Sequence, residues 1–232
     1  MNSELTQTDS LLPEMNSVWQ ETLNWQPDAQ QQSHFQRLYE LILVGNRQLN
    51  LTRITEPTEF WEKHLWDSLR GVQSLLNPKS TIPSLKLIDI GTGAGFPGIP
   101  AAIALPSATI TLLDATRKKI AFLETLLTEL EIKNATTLLG RSEEIGKQPK
   151  YRQTYDLALV RAVGSASVCA KYALPLLKLN GLAILYRGQW TEDDTKALQA
   201  DVTQLGGTIE SIEEFTTPIT NSIRHCLYLR KI

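Results

Sequence analysis

One stretch narrows the folds open to this chain more than any other. Leu87-Ile88-Asp89-Ile90 runs directly into Gly91-Thr92-Gly93-Ala94-Gly95-Phe96-Pro97-Gly98. An apolar strand that ends in a glycine-rich turn lets backbone approach a ligand closely, where a Cβ would clash. Such turns lie outside the carboxyl ends of parallel strands, where the strand order reverses. Asp114 closes the next apolar run, nineteen positions after Gly95. An acid placed there accepts hydrogen bonds from ribose hydroxyls, so turn and acid together fit an adenosine-containing cofactor. A turn used only for chain reversal is the plainer reading, and Asp114 weighs against it.

The chain around this turn alternates strand-like and helical segments. Strands are expected at 85–90, 109–114, 135–139, 156–161 and 182–187, with helices at 98–105, 117–130, 142–146, 165–178 and 192–205 between and after them. This alternation predicts a parallel sheet covered on both faces. Leu-Ala-Leu-Val at 157–160 and Leu-Ala-Ile-Leu at 182–185 are apolar at every position, as strands buried on both faces require. Two last strands, 208–215 and 224–231, have no long helix between them and should form an antiparallel hairpin at one edge. Upstream, apolar spacing predicts helices over 33–49 and about 55–76, the second capped by Thr55 with Pro57 in its first turn. Leu11, Leu12, Trp19, Leu23 and Trp25 indicate short amphipathic helices before them. Asn77, Pro78 and Pro83 mark a linker, which divides the chain into a helical extension, 1–83, and a sheet domain, 84–232.

The glycine pattern leaves two nucleotides open. GxGxxG is met formally by Gly93, Gly95 and Gly98, which would suit a dinucleotide and a nicotinamide-dependent oxidoreductase. Asp89, two residues before Gly91, would oppose a pyrophosphate and favours a ligand carrying positive charge. Charge is uneven along a chain of net −2: residues 1–77 hold 5 basic and 10 acidic side chains, whereas 133–187 hold 9 basic and 3 acidic. The balance excludes a nonspecific polyanion binder but leaves room for a local basic face. Cys169 and Cys226 are far apart with no CxxC, and there are three histidines. Neither a disulfide framework nor a metal centre is expected, and a reducing cytoplasm is the natural setting. No apolar run reaches the ~18 residues of a membrane span.

Asp89-Ile90-Gly91-Thr92-Gly93-Ala94-Gly95 resembles the first motif of Rossmann-like S-adenosylmethionine methyltransferases. More specifically, the chain is similar to the RsmG (GidB) family of 16S ribosomal RNA guanine-N7 methyltransferases over roughly 35–232. The match is carried by Asn50-Leu51-Thr52, by His64-Leu65-Trp66-Asp67-Ser68 and by the run IDIGTGAGFPGIP at 88–100. Leu112-Leu113-Asp114, Arg117-Lys118-Lys119, Phe122-Leu123, Arg141-Ser142-Glu143-Glu144, Arg161-Ala162 and Arg224-His225 continue it. Two positions depart from the family pattern: Ala94 stands where Pro is frequent, and Tyr186-Arg187-Gly188 replaces Leu-Lys-Gly. Arg keeps the charge of Lys with a different donor geometry, which leaves the role of position 187 open.

The resemblance implies a Rossmann-like sheet with S-adenosyl-L-methionine as cofactor. Gly91, Gly93, Gly95 and Phe96 would line it, with Asp114, Ala115 and Thr116 at the ribose. Ser142 and Glu143 would meet the adenine, and Arg161 would complete the site. The implied partner is 16S ribosomal RNA, free or within a small-subunit assembly intermediate, with no obligate protein partner evident. Guanine N7 carries an available lone pair and loses no proton on attack, so alignment replaces a general base. Arg117, Arg141, Arg161 and Arg187 follow or close four parallel strands, so topology predicts an arginine rim on the cofactor side, joined by Arg224. Arginine forks suit phosphate and the guanine O6/N7 edge. Arg161, Arg187 and Arg224 are therefore the candidates for the methyl-transfer step, against the plainer reading of separate surface ion pairs. His64, Trp61 and Trp66 read as packing residues, Asp67 and Ser68 as ties between the helices and the sheet, and Cys169 as inert. A small-molecule or protein methyltransferase and a noncatalytic RNA-binding module are the rivals. The arginine rim argues against the first, and cofactor affinity discriminates the second.

Overall fold

The computed structural model describes residues 11–76 and 84–232. The expected linker residues Asn77, Pro78 and Pro83, and the boundary between 83 and 84, lie outside the described residues.

The apolar runs form seven strands: β1 (Lys86–Ile90), β2 (Thr109–Asp114), β3 (Ala135–Leu139), β4 (Tyr155–Arg161), β5 (Leu177–Arg187), β6 (Gly207–Thr216) and β7 (Ile223–Lys231). They make one sheet in the order β3-β2-β1-β4-β5-β7-β6. β1 to β5 are parallel, and β7 inserts antiparallel between β5 and β6, which closes the expected hairpin. From β1 the chain moves outward through β2 and β3, then returns to place β4 on the other side of β1. That reversal leaves a crevice beyond the ends of β1 and β4. β5 starts five residues before the expected strand, because Pro175 ends the helical segment and Leu177 already pairs with Tyr155.

Strand side chains alternate between two cores, as the pleat requires. Leu87, Leu112, Leu157, Leu159 and Ile184 face one, and Ile88, Ile90, Leu113, Val160 and Leu185 face the other. The second is covered by α8 (Ala166–Ala173) and α9 (Glu192–Gln204). The first is covered by α5 (Gly98–Ala104), α6 (Arg117–Glu129) and the N-terminal helices, which share one apolar cluster with the sheet. In that cluster Trp19, Trp61 and Trp66 are buried, each worth about 2–3 kcal/mol of burial. Trp66 Nε1 also donates to Thr22 Oγ1 at 2.8 Å.

The N-terminal helices differ in detail from their pattern. α1 spans Asn16–Leu23, and α2 runs Ala29–Leu49. α2 begins earlier than expected because Asp28 and Gln31 form a reciprocal capping box, at 2.8 and 3.0 Å. The helix expected at 55–76 is interrupted. α3 (Pro57–Phe60) passes into a π-helical turn (Trp61–Trp66), then α4 (Asp67–Arg70) and a 3-10 turn (Gln73–Leu75). Glu56, not Thr55, caps it: its carboxylate accepts from Thr58 N and Glu59 N, whereas the Thr55 carbonyl accepts from Tyr39.

Candidate functional site

The glycine turn is tied to the neighbouring strand β2. Gly91 N and Thr92 N donate to the Leu113 carbonyl at 2.8 and 3.0 Å, which draws the turn over the end of β2. Gly91, Gly93 and Gly95 adopt φ of 70°, 62° and 100°, the left-handed region that glycine enters without strain. Gly91 and Gly95 press against Val163 and Ile99, whereas Gly93 faces open space: a Cβ there would lie 3.9 Å from its nearest neighbour, the Gly91 carbonyl. Asp114, at the end of β2, accepts from Gly93 N at 3.0 Å through Oδ2 and from Thr116 N at 2.8 Å through Oδ1, with Lys119 Nζ 3.9 Å away. Both carboxylate oxygens are thereby aimed, and each keeps a lone pair for a further donor. Ala115 and Thr116 are exposed beside it.

Asp89 lies beneath the turn and is fully buried. Its Oδ2 accepts from Thr92 Oγ1 at 2.6 Å and Gly98 N at 2.7 Å, so it opposes charge through the loop rather than by direct contact. Its Oδ1 has no partner among the described residues. Burial pushes its carboxyl up to about 6, against the pull of Thr92, Gly98 and Arg161. Phe96, placed by its motif among the cofactor-lining residues, is turned into the protein. It stacks on His64 at 4.4 Å between ring centroids and 13° between planes, with Phe60 on edge.

The arginines divide into two groups. Arg117 and Arg141 extend into solvent at the ends of β2 and β3, Arg141 3.9 Å from Glu143, with Ser142 half-buried between them. Arg161 is held inside: Nη1 donates to the Lys63 carbonyl at 2.8 Å and Asp67 Oδ2 at 3.0 Å, and its guanidinium lies 5.7 Å over Phe96. Arg224, at the start of β7, donates to Asp67 through Nε at 3.4 Å and Nη2 at 3.2 Å. Arg187 Nη1 donates to the Gly164 carbonyl at 2.6 Å, so it braces the segment after β4. That segment starts at Ala162, whose φ of 57° is a strained conformation for a residue with a Cβ. Strand register places Arg161 opposite Tyr186, and Arg187 opposite His225, along one edge of the sheet.

A model of the family described as rRNA small subunit methyltransferase G matches residues 31–225. The chain belongs to this family. A relative from Nostoc punctiforme, "Ribosomal RNA small subunit methyltransferase G", is 66% identical over 96% of this chain and 91% of its own length. One of the same name from Microcystis aeruginosa is 55% identical over 95% and 99%. Among solved structures, TYW2 of M. jannaschii in complex with AdoMet superposes with a TM-score of 0.53 at 13% identity, covering 70% of this chain and 77% of that one. TYW2 of P. horikoshii in complex with MeSAdo gives 0.54 at 13% identity, covering 72% and 62%. These two likenesses show the fold alone, a Rossmann-like sheet with helices on both faces.

The span matched by the family model contains the glycine turn, Asp114 and every arginine of the rim. It also contains residues whose part was not evident from spacing. Thr52 Oγ1 and His64 Nε2 lie 2.8 Å apart, joining the Asn-Leu-Thr and His-Leu-Trp-Asp-Ser segments. Arg161 Nη2, which can only donate, faces His64 Nδ1 at 3.4 Å, so Nε2 carries the ring proton. Burial, then the charges of Arg161 and Lys63, push the imidazole down to about 3 and keep it neutral. His64 is a packing residue, as expected. Glu62, also buried, accepts from Ile219 N at 2.6 Å, Thr220 N at 2.9 Å and Thr220 Oγ1 at 2.6 Å. Burial alone would raise the Glu62 carboxyl, yet these bonds hold it below its usual range. The sequence signal for Glu62 was a charge within an otherwise apolar helical face. Cys169 is buried and its thiol pushed up by burial.

Proposed function

We propose that the chain methylates N7 of a guanine in 16S ribosomal RNA, with S-adenosyl-L-methionine as donor. One observation carries this above all: residues 31–225 match a small-subunit rRNA methyltransferase family, and the cradle and the rim both lie in that span. The residues fit the cofactor. Gly93 leaves free the volume a side chain would fill, and Asp114 has two oriented oxygens for ribose hydroxyls. Ser142 and Glu143, opening the short helix α7 (Ser142–Ile145), stand beyond β3 where an adenine would lie. Bound there, the cofactor supplies a methyl group made electrophilic by its sulfonium.

The chain's own part is orientation. Asp89 holds the turn through Thr92 and Gly98, and Arg161 braces it against Phe96. A positioned guanine N7 attacks in line and releases no proton, so no general base is required. His64 supports this: it is buried, neutral, and engaged at both nitrogens. Arg187 and Arg224 are the side chains set to hold phosphate or the guanine edge, while Arg161 acts from beneath. The helical extension, 1–83, serves as the platform that, through Asp67, holds Arg161 and Arg224 of the sheet domain, 84–232. The even charge balance favours recognition of RNA shape by a local patch over bulk attraction.

The test is transfer of labelled methyl from S-adenosylmethionine to small-subunit RNA lacking the modification, offered naked and as intact subunits. Label recovered in 7-methylguanosine is expected. Label in another nucleoside, or none from either substrate, overturns the proposal. Arg187→Ala should raise KM for RNA without changing cofactor Kd, and equal loss of both would remove Arg187 from the RNA face.

A further inference from the structure

Asp67 is a buried carboxylate set between two arginines that come from different strands of the sheet, β4 and β7. Its Oδ2 receives Arg161 Nη1 at 3.0 Å and Arg224 Nη2 at 3.2 Å, and its Oδ1 receives Arg224 Nε at 3.4 Å. Arg161 ends β4, and Arg224 starts near the head of β7. The backbone around Asp67 is shaped for this. In an α-helix Asp67 N would bond the Lys63 carbonyl, but in the π-helical turn it donates to Glu62 O, one residue further back. The Lys63 carbonyl is thereby released, and Arg161 Nη1 takes it at 2.8 Å. Glu62, in the same turn, holds Ile219 and Thr220 of the β6–β7 connection, just ahead of Arg224.

The two arginines differ in exposure. Arg161 is 12% exposed and touches the glycine turn through Phe96. Arg224 is 34% exposed, and its Nη1 has no partner among the described residues. With Lys63, Thr217, Thr220 and Ser222, Arg224 borders a small cavity of about 40 Å³, room for a water or one small polar group. One contact chain therefore runs from the glycine turn through Phe96, Arg161 and Asp67 to an arginine fork that faces outward.

We propose that Asp67 is a positioning residue for methyl transfer, fixing the Arg224 fork relative to the glycine turn through its shared bonds with Arg161. The inference rests on the reading that this rim takes RNA. Without the carboxylate, two guanidinium groups would face each other across the same space, and Arg224 would lose both bonds that aim it. The π-turn serves the same end by turning a backbone carbonyl into a second anchor for Arg161.

A double-mutant cycle on the full chain tests this. Asp67→Asn keeps the volume and removes the charge. It should lower kcat on RNA by roughly 10²-fold, the order expected when a reacting group is displaced by about 1 Å. Cofactor Kd, measured by calorimetry, should change less than about threefold. Arg224→Ala should cost about as much alone, but add little in the Asp67→Asn background, because partners that act as a unit are non-additive. Where Asp67→Asn does not fold, Asp67→Glu, which keeps the charge and shifts the carboxylate by one methylene, takes its place in the cycle. Losses that multiply across the cycle, or a variant with wild-type kcat, would overturn the positioning role while wild-type RNA methylation leaves the parent reading standing. A wild-type protein that methylates no RNA refutes the parent reading and this one with it.

Discussion

Replacing Gly93 by alanine separates stability from cofactor binding. Gly93 sits at φ 62°, and the nearest atom to a Cβ built on it is the Gly91 carbonyl at 3.9 Å, so nothing in the protein is struck. The folding cost is then only the left-handed backbone of a residue with a Cβ, about 1–2 kcal/mol. For a chain of this size that lowers Tm by roughly 2–8 °C. The methyl group does, however, enter the space assigned to the cofactor. Overfilling a fitted site costs about 1–3 kcal/mol, or roughly 5- to 150-fold in Kd. Gly95→Ala differs, because its Cβ would meet Ile99 Cδ1 at 2.5 Å and Leu123 Cδ2 at 3.1 Å and must damage the fold as well. Gly188, with nothing within 4 Å, is the neutral control. Thermal unfolding and calorimetric titration with S-adenosylmethionine on the three variants decide the matter. Wild-type affinity in Gly93→Ala would show that the cradle is not where the cofactor lies.

Two further outcomes follow from buried charges. His64 has its pKa lowered to about 3, so between pH 6.5 and 3 the unfolded chain takes up a proton that the native chain refuses, and stability falls on acidification. Asp89, raised from 3.8 to about 6, acts oppositely across that narrower window, where the native chain holds the proton and stability rises on acidification. The two largely cancel from pH 6.5 to 5, so Asp89→Asn should unmask an additional fall of roughly 1.2 kcal/mol relative to wild type over that range in urea unfolding; parallel curves would refute it. Glu62→Ala removes the acceptor of two part-buried backbone donors, Ile219 N and Thr220 N, at a cost of about 1–3 kcal/mol. Amide exchange at 219 and 220 should accelerate, and unchanged protection would show that the connection is held elsewhere.

The tertiary structure adjusted several elements that spacing had only outlined. The β2 and β3 bounds agree with the expected runs, although Thr109, Thr111, Thr136 and Thr137 lie within them and β3, at the edge of the sheet, is only partly buried. The hairpin was also legible, but the insertion of β7 between β5 and β6 was not, since pairing partners leave no local pattern. The helix expected from apolar spacing over 55–76 carries a π-turn, because a one-residue shift in backbone bonding barely disturbs the spacing of buried side chains. Among site residues, Gly91, Gly93, Gly95 and Asp114 stand together as their order along β1 and β2 required. Phe96 and Arg161 carry the right motif yet point inward, toward His64 and Asp67 on helices some thirty and one hundred residues away.

The sequence by itself determined the sheet, the glycine turn with its acid, and the edge on which the arginines collect. All three follow from local rules: apolar alternation, conformations that glycine enters freely, and parallel strands sharing a direction. Which arginine faces solvent and which is clasped was decided only in three dimensions. A buried charge must find its partner, and here the partner of Arg161 and Arg224 is a single carboxylate, Asp67, brought to them by the packing of the helices on the sheet.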